Sequence, residues 1–173
     1  MADDPRDHDP GPDEVWPWIV QTGFPAVRAG WYTPHWLDRA AWGVTARSAD
    51  VIVPGLQRLE VGDRVPDSPD WSVFFTVRRL EPGRALVLHS TRHLLAPYSA
   101  VDFSWAFVLT GRPGATRLVI RARGRWRPVW PGPLTRLFWW LVMGPGDFVN
   151  AGGMLRGVRR RAERGRHPGP RTA

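Results

Sequence analysis

Between residues 116 and 127 the chain reads TRLVIRARGRWR, and its side chains alternate with a period of two. Arg117, Arg121, Arg123, Arg125 and Arg127 fall on one face, and Leu118, Ile120, Ala122, Gly124 and Trp126 on the other. Extended backbone sends successive side chains to opposite sides, so this segment is a strand with one wet and one buried face. Such a strand belongs in an antiparallel sheet that meets water on one side. The same period recurs in 71–80, 84–91 and 101–110, punctuated by Gly83, Pro97 and the GRPG at 111–114. The pattern predicts an antiparallel meander of four strands. In 101–110, Phe103, Trp105, Phe107 and Leu109 share a face, with Ser104, Ala106 and Val108 opposite. Four large side chains projecting from one strand need a deep space to fill.

Helical patterns flank the meander. Residues 13–21 (DEVWPWIVQ) begin with acids, which suit a helix N-terminus, and place Val15, Trp16 and Ile19 on one side. Pro17 costs little in a first turn but removes a hydrogen bond further in. A second helix is expected to start with Thr33 as N-cap and Pro34 at its first position. It continues through HWLDRAAW, with Trp36, Leu37 and Ala40 together. Residues 43–69 read as irregular, with a short helical turn near 54–59. Downstream, 133–143 predicts a short apolar helix interrupted by Gly144-Pro145-Gly146. Asp147 then caps a helix reaching about Arg164, with Phe148, Ala151, Leu155 and Val158 as its apolar stripe. Gly152 and Gly153 inside it cost roughly 1 kcal/mol each against Ala, which predicts a very close packing partner there. Trp139 and Trp140 point about 100° apart on a helix, so one packs inward and the other is left at a rim.

A length of 173 residues suits one domain. The boundaries expected are an acidic segment over 1–12, disordered or the remnant of a first strand; a folded domain over 13–164; and a basic tail over 165–173. There are 11 Trp and no Cys, which excludes disulfides and thiolate chemistry. MADDPRDHDPGPDE lacks the apolar core of a signal peptide. The longest apolar run, 137–143, is far short of the ~20 residues of a membrane span. A cytoplasmic protein without a membrane span is therefore expected. All 24 basic residues are Arg and the net charge is +8. That uniformity reads as genomic base composition, so no nucleic-acid partner is expected.

The segments EVWPWIVQTG, AGWYTPHWLDR, VPGLQRLEVGDRVP, FFTVRRLEPGRALVL, SWAFVL and PGDFVNAGGMLRGVRRRAE, in that order, resemble bacterial members of the SRPBCC superfamily. This START-like group includes polyketide cyclases and dehydratases, lipid-transfer domains and plant pathogenesis-related allergens. The resemblance covers roughly residues 10 to 164. It implies an α+β helix-grip fold: a curved antiparallel sheet wrapped around a long C-terminal helix, with two short helices after the first strand. One departure stands out. The family's first strand would correspond to PRDHDPGPD, which has almost no strand character. Either the sheet lacks a full first strand, leaving an open edge, or the true start lies upstream of Met1, the reading preferred here.

The resemblance implies a cavity between sheet and closing helix that takes a small hydrophobic or aromatic molecule, in a carrier or sensor role. Trp31, Tyr32, Trp36, Phe75, Phe103, Trp105, Phe107, Phe148 and Gly152 are the candidate ligand-binding residues, and the aromatic ones read equally as plain core. The alternative is a cyclase- or dehydratase-like enzyme without metal, using acid–base residues in that cavity. Its candidates are His35, His89, Tyr98 and Asp102, and an apolar surround could shift their pKa values toward neutrality. His89 and His93 have i, i+4 spacing, but on a strand that separates them by roughly 13 Å, so no metal is expected. No prosthetic group is expected either, and the chain should be a monomer or weak dimer. A third reading is an anion-binding surface made by the Arg row and Arg159–Arg161, with salt-dependent binding.

Overall fold

Five strands pair in chain order, every neighbour antiparallel. The computed structural model describes residues 9–92, 99–112, 115–128, 133, 137, 140, 141 and 144–165. Its elements are α1 (Pro12–Val20), α2 (His35–Trp42), a 3-10 turn (Pro54–Leu56), β1 (Arg64–Pro66), β2 (Phe74–Glu81), β3 (Ala85–Arg92), β4 (Ser99–Arg112), β5 (Ala115–Pro128) and α3 (Gly144–Gly165). The architecture is α+β, with an open antiparallel sheet and a C-terminal helix. All four strands expected from the alternation are present. The first is shorter at its start because Trp71 takes φ +61, a left-handed turn conformation that cannot continue a strand. β1 falls within the stretch expected to be irregular, and three residues are too few to show alternation. β4 and β5 pair along their whole length, from Ser99 opposite Pro128 to Arg112 opposite Ala115. β2 slips register against β3 at two places, which bends a strand locally.

α1 begins with Gly11 as N-cap and Pro12 inside its first turn, where a missing N–H costs nothing. The Glu14 carboxylate accepts from the Gly11 N–H at 2.7 Å. Pro17 lies inside the helix, yet the helix continues to Val20, where Arg28 takes over its end. The Arg28 guanidinium donates to the carbonyls of Thr22 and Val20, both at 2.7 Å. A cation on terminal carbonyls is favoured by the helix dipole. Val15, Trp18, Ile19 and Val20 are buried, so Trp18 takes the place expected for Trp16, which only packs against the rim of the core.

Two helix starts differ from the expectation. Pro34 is the N-cap of α2 rather than its first residue. The Thr33 hydroxyl instead donates to the Asp38 carboxylate at 2.5 Å. α3 starts at Gly144, so Gly144-Pro145-Gly146 forms its first turn and Asp147 sits within that turn, while most of the helix expected over 133–143 lies outside the described residues. A carboxylate there still meets the positive helix end. The buried stripe also has a different phase. Gly153, Met154, Gly157, Val158 and Ala162 are buried, whereas Phe148 is 80% exposed.

Glycine explains the phase. A Cβ on Gly153 would lie 2.6 Å from Pro34 Cδ, and one on Gly157 would collide with the Tyr32 carbonyl oxygen. The Tyr32–Pro34 segment therefore lies directly on the backbone of α3. At Gly152 a Cβ would meet only the Arg156 guanidinium of its own helix, at 3.6 Å. The close partner expected for the glycine pair thus exists at Gly153 and Gly157, not at Gly152.

A sharp contrast follows for substitution by Ala. Gly157→Ala should lower stability by at least ~2 kcal/mol in urea denaturation, since backbone must move to make room. Gly152→Ala should be neutral or raise stability by up to ~1 kcal/mol through helix propensity. Equal effects at the two positions would contradict the packing described.

Candidate functional site

Alternation along β4 delivers Phe103, Trp105 and Phe107 to the inner face of the sheet, and all three are buried. Phase matching across the sheet adds Phe75 from β2. Trp31 joins from the loop before α2. Ring centroids lie 5.3 Å apart for Trp31 and Trp105, 5.7 Å for Trp31 and Phe75, and 5.5 Å for Trp105 and Phe107. Phe75 stacks on Trp105 at 6.0 Å, and Phe103 lies 6.1 Å from both. Offset and edge contacts at these distances are favourable beyond burial alone. Trp105 is the hub, touching the other four rings.

The loop that presents Trp31 is tightly fixed. A Cβ at Gly30 (φ +90) would collide with Ser48, and the Ser48 hydroxyl accepts from the Tyr32 N–H at 3.0 Å. Tyr32 holds φ +60. Its hydroxyl accepts from Gln21 Nε2 at 2.9 Å, the Arg161 guanidinium lies 4.9 Å from its ring centre, and Trp18 meets it edge-on at 5.9 Å. Burial, more than any neighbour, pushes the Tyr32 hydroxyl pKa far above the usual phenol range. Tyr32 is thus a pin for the loop, and Trp31 beside it faces the aromatic row.

Directly opposed residues of an antiparallel pair share a face. Ala122 stands opposite Trp105 and Gly124 opposite Phe103. Both are exposed, although the alternation of 116–127 predicted burial for that whole face. Among the described residues of that face, Leu118 and Ile120 pack against the core. The start of α3 is open to solvent as well: Phe148 and Val149 are exposed, and the buried part of the helix begins at Gly153. A row of large aromatic rings therefore borders a short strip of sheet, at Ala122 and Gly124, that is open to solvent.

Two polar groups belong to this region. Asp67, just after β1, donates its backbone N–H to Val73 O at 2.9 Å. Its carboxyl is enclosed, and desolvation pushes its pKa up to about 7. The Trp31 indole N–H faces that carboxyl and partly offsets the rise, short of full hydrogen-bond geometry. The second is the Trp105 indole nitrogen, buried and without a hydrogen-bond partner. Sequence reasoning missed Asp67, which sits in PDSPD and has the composition of an ordinary turn.

The other candidates fall elsewhere. His89 and Asp102 meet, with Nε2 and Oδ1 2.7 Å apart, but on the outer face. Their neighbours Leu88 and Phe103 point to the core, so His89 and Asp102 point away. Asp102 is largely exposed there, and an exposed pair of this kind contributes little. His35 opens α2, and its Nδ1 is buried without a partner. Tyr98 lies outside the described residues. Trp36 is 68% exposed, and Gly152 faces its own helix. Arg117, Arg121, Arg123 and Arg125 line the outer face of β5, all exposed. Trp140 is 77% exposed, while Trp139 lies outside the described residues. Among the described residues, no group of three or more His, Asp or Glu could hold a metal ion, and no helix is long and apolar enough to cross a membrane.

No family model, curated protein or solved structure matches the chain.

The raised Asp67 pKa has a consequence for stability. An unfolded Asp releases its proton near pH 4, whereas the folded one keeps it to about pH 7. The unfolded state thus binds fewer protons in that window, and stability falls as pH rises through it. Asp67→Asn should remove this slope, leaving the melting temperature nearly unchanged near pH 4 and raising stability at pH 8 by on the order of 4 kcal/mol. Parallel pH profiles of the two chains would overturn the assignment.

Proposed function

We propose that the chain is a START-like, helix-grip domain that binds a small hydrophobic or aromatic molecule between the inner face of its sheet and α3, as a carrier or sensor. The order of its elements supports the fold: two short helices, an antiparallel meander, then one long helix. The observation that carries the function is the junction of the aromatic row with the bare strip at Ala122 and Gly124. Planar molecules gain most where they can stack on rings and cover exposed apolar backbone at once. Trp31 supplies one side of the seat and β4 the other. The loop behind Trp31 is held by Gly30, Ser48 and Tyr32, so the seat is formed before a ligand arrives.

A second reading is an enzyme of the cyclase or dehydratase type. Asp67 favours it, since a carboxyl with pKa near neutrality beside an aromatic wall can give and take protons at working pH. The His89–Asp102 pair does not contribute to this reading, because it lies across the sheet.

N-phenylnaphthylamine, a neutral dye that fluoresces in apolar surroundings, tests the site without engaging the Arg face. Saturable binding at one site is expected. Ala122→Trp, at an exposed position, should abolish it by filling the strip while the melting temperature stays within a few degrees. If the dye binds that variant as it binds the native chain, the site is wrongly placed. Native mass spectrometry of freshly purified protein should also show a co-purified small molecule.

A further inference from the structure

The buried polar side chains of the core use their hydrogen-bonding capacity. Gln21 uses both donors and both acceptor positions: Nε2 donates to Tyr32 Oη and Val51 O, and Oε1 accepts from Val53 N and Gln57 Nε2. Thr22 donates to Ile19 O at 2.9 Å and Ser90 to Phe74 O at 2.6 Å. Trp105 breaks this pattern. Its residue is 6% exposed, yet its Nε1–H meets no acceptor. Trp31 Nε1, His35 Nδ1 and Thr116 Oγ1 are also unpartnered, but they belong to half-buried residues, and the Trp31 N–H faces the Asp67 carboxyl. The Trp105 ring meets four other rings, and its residue stands opposite the exposed Ala122.

We infer that the bound molecule carries a neutral hydrogen-bond acceptor, a carbonyl or ether oxygen on an aromatic or apolar body, and that the Trp105 indole N–H takes it. This rests on the ligand site proposed above and adds the polar half of its recognition. Indole is a donor only, so its partner must bring a lone pair. A buried donor left unmade is costly, and a site built around one discriminates strongly for the ligand that completes it. The acceptor is neutral because Trp105 is surrounded by the rings of Trp31, Phe75, Phe103 and Phe107. An anion brought among these rings would give up its hydration for a single neutral N–H, which does not repay the loss. Trp105 is thus the specificity-determining residue, and the surrounding rings set the shape of what it admits.

Two probes of nearly equal shape separate the parts of the argument. Acetylnaphthalene carries a carbonyl oxygen; isopropenylnaphthalene carries a methylene in its place. In displacement of N-phenylnaphthylamine, acetylnaphthalene should bind roughly tenfold tighter. Trp105→Phe, which keeps a ring but removes the N–H, should bring the two to within about twofold by weakening acetylnaphthalene alone. The indole proton resonance of Trp105 in the native chain provides a readout that does not depend on the variant folding. It should move downfield with acetylnaphthalene and stay near its place with isopropenylnaphthalene. Equal affinity of the two probes, or an unmoved indole resonance because ordered water already holds the N–H, overturns the inference and leaves the ligand site standing. Failure of both probes to bind overturns the ligand site, and the inference with it.

Discussion

The backbone of Tyr32 lies against the backbone of α3, and the rest of the molecule is arranged around that contact. It exists only because position 157 has no side chain. Tyr32 in turn holds a left-handed φ, which costs a bulky residue on the order of 1 kcal/mol or more. That strain is held by surroundings that over-determine the residue: Gln21 on its hydroxyl, Arg161 over its ring, Trp18 at its edge and Ser48 on its amide. Arg161 also donates to Ala49 O at 2.8 Å and pairs with Asp50 at 2.9 Å. One residue thereby ties α1, the loop after α2 and the closing helix together. Trp31, its neighbour, inherits a fixed position against the sheet.

The sequence shows the sheet clearly and the helix contacts poorly, for one physical reason. Periodicity weighs what side chains contribute. β4 and β5 announce themselves because large apolar and charged residues alternate over many positions. The inner stripe of α3 is buried through absence instead. Gly153 and Gly157 hide their face by letting another segment approach, so a hydrophobic count picks Phe148, Ala151, Leu155 and Val158, a stripe that meets the real one only at Val158. Phe148 stays in water as a result. The aromatic row was legible as a set, since Phe103, Trp105 and Phe107 share a phase. Its limit was not, because alternation along β5 gives Ala122 and Gly124 the phase of a buried face and says nothing of what covers it.

Polar groups follow the same division. His89 and Asp102 are 13 residues apart, and only the register of β3 on β4 brings them together. A sequence gives strand phase but not which rung meets which. Asp67 was invisible for another reason. Its environment comes from β1, a three-residue strand, and from a tryptophan far back in the chain. Nothing within a few residues of it distinguishes it from Asp63 or Asp70.

The saturated amide of Gln21 bears on motion. Its four bonds reach Tyr32, Val51, Val53 and Gln57 at once, and Gln57 also reaches the Pro17 carbonyl inside α1. None of these partners can leave without stranding a buried donor or acceptor, so the segment around residues 51–57 cannot flap independently of the first helix. The two open as one cooperative unit, and slow amide exchange in the 3-10 turn would report the stability of α1 rather than that of an exposed loop.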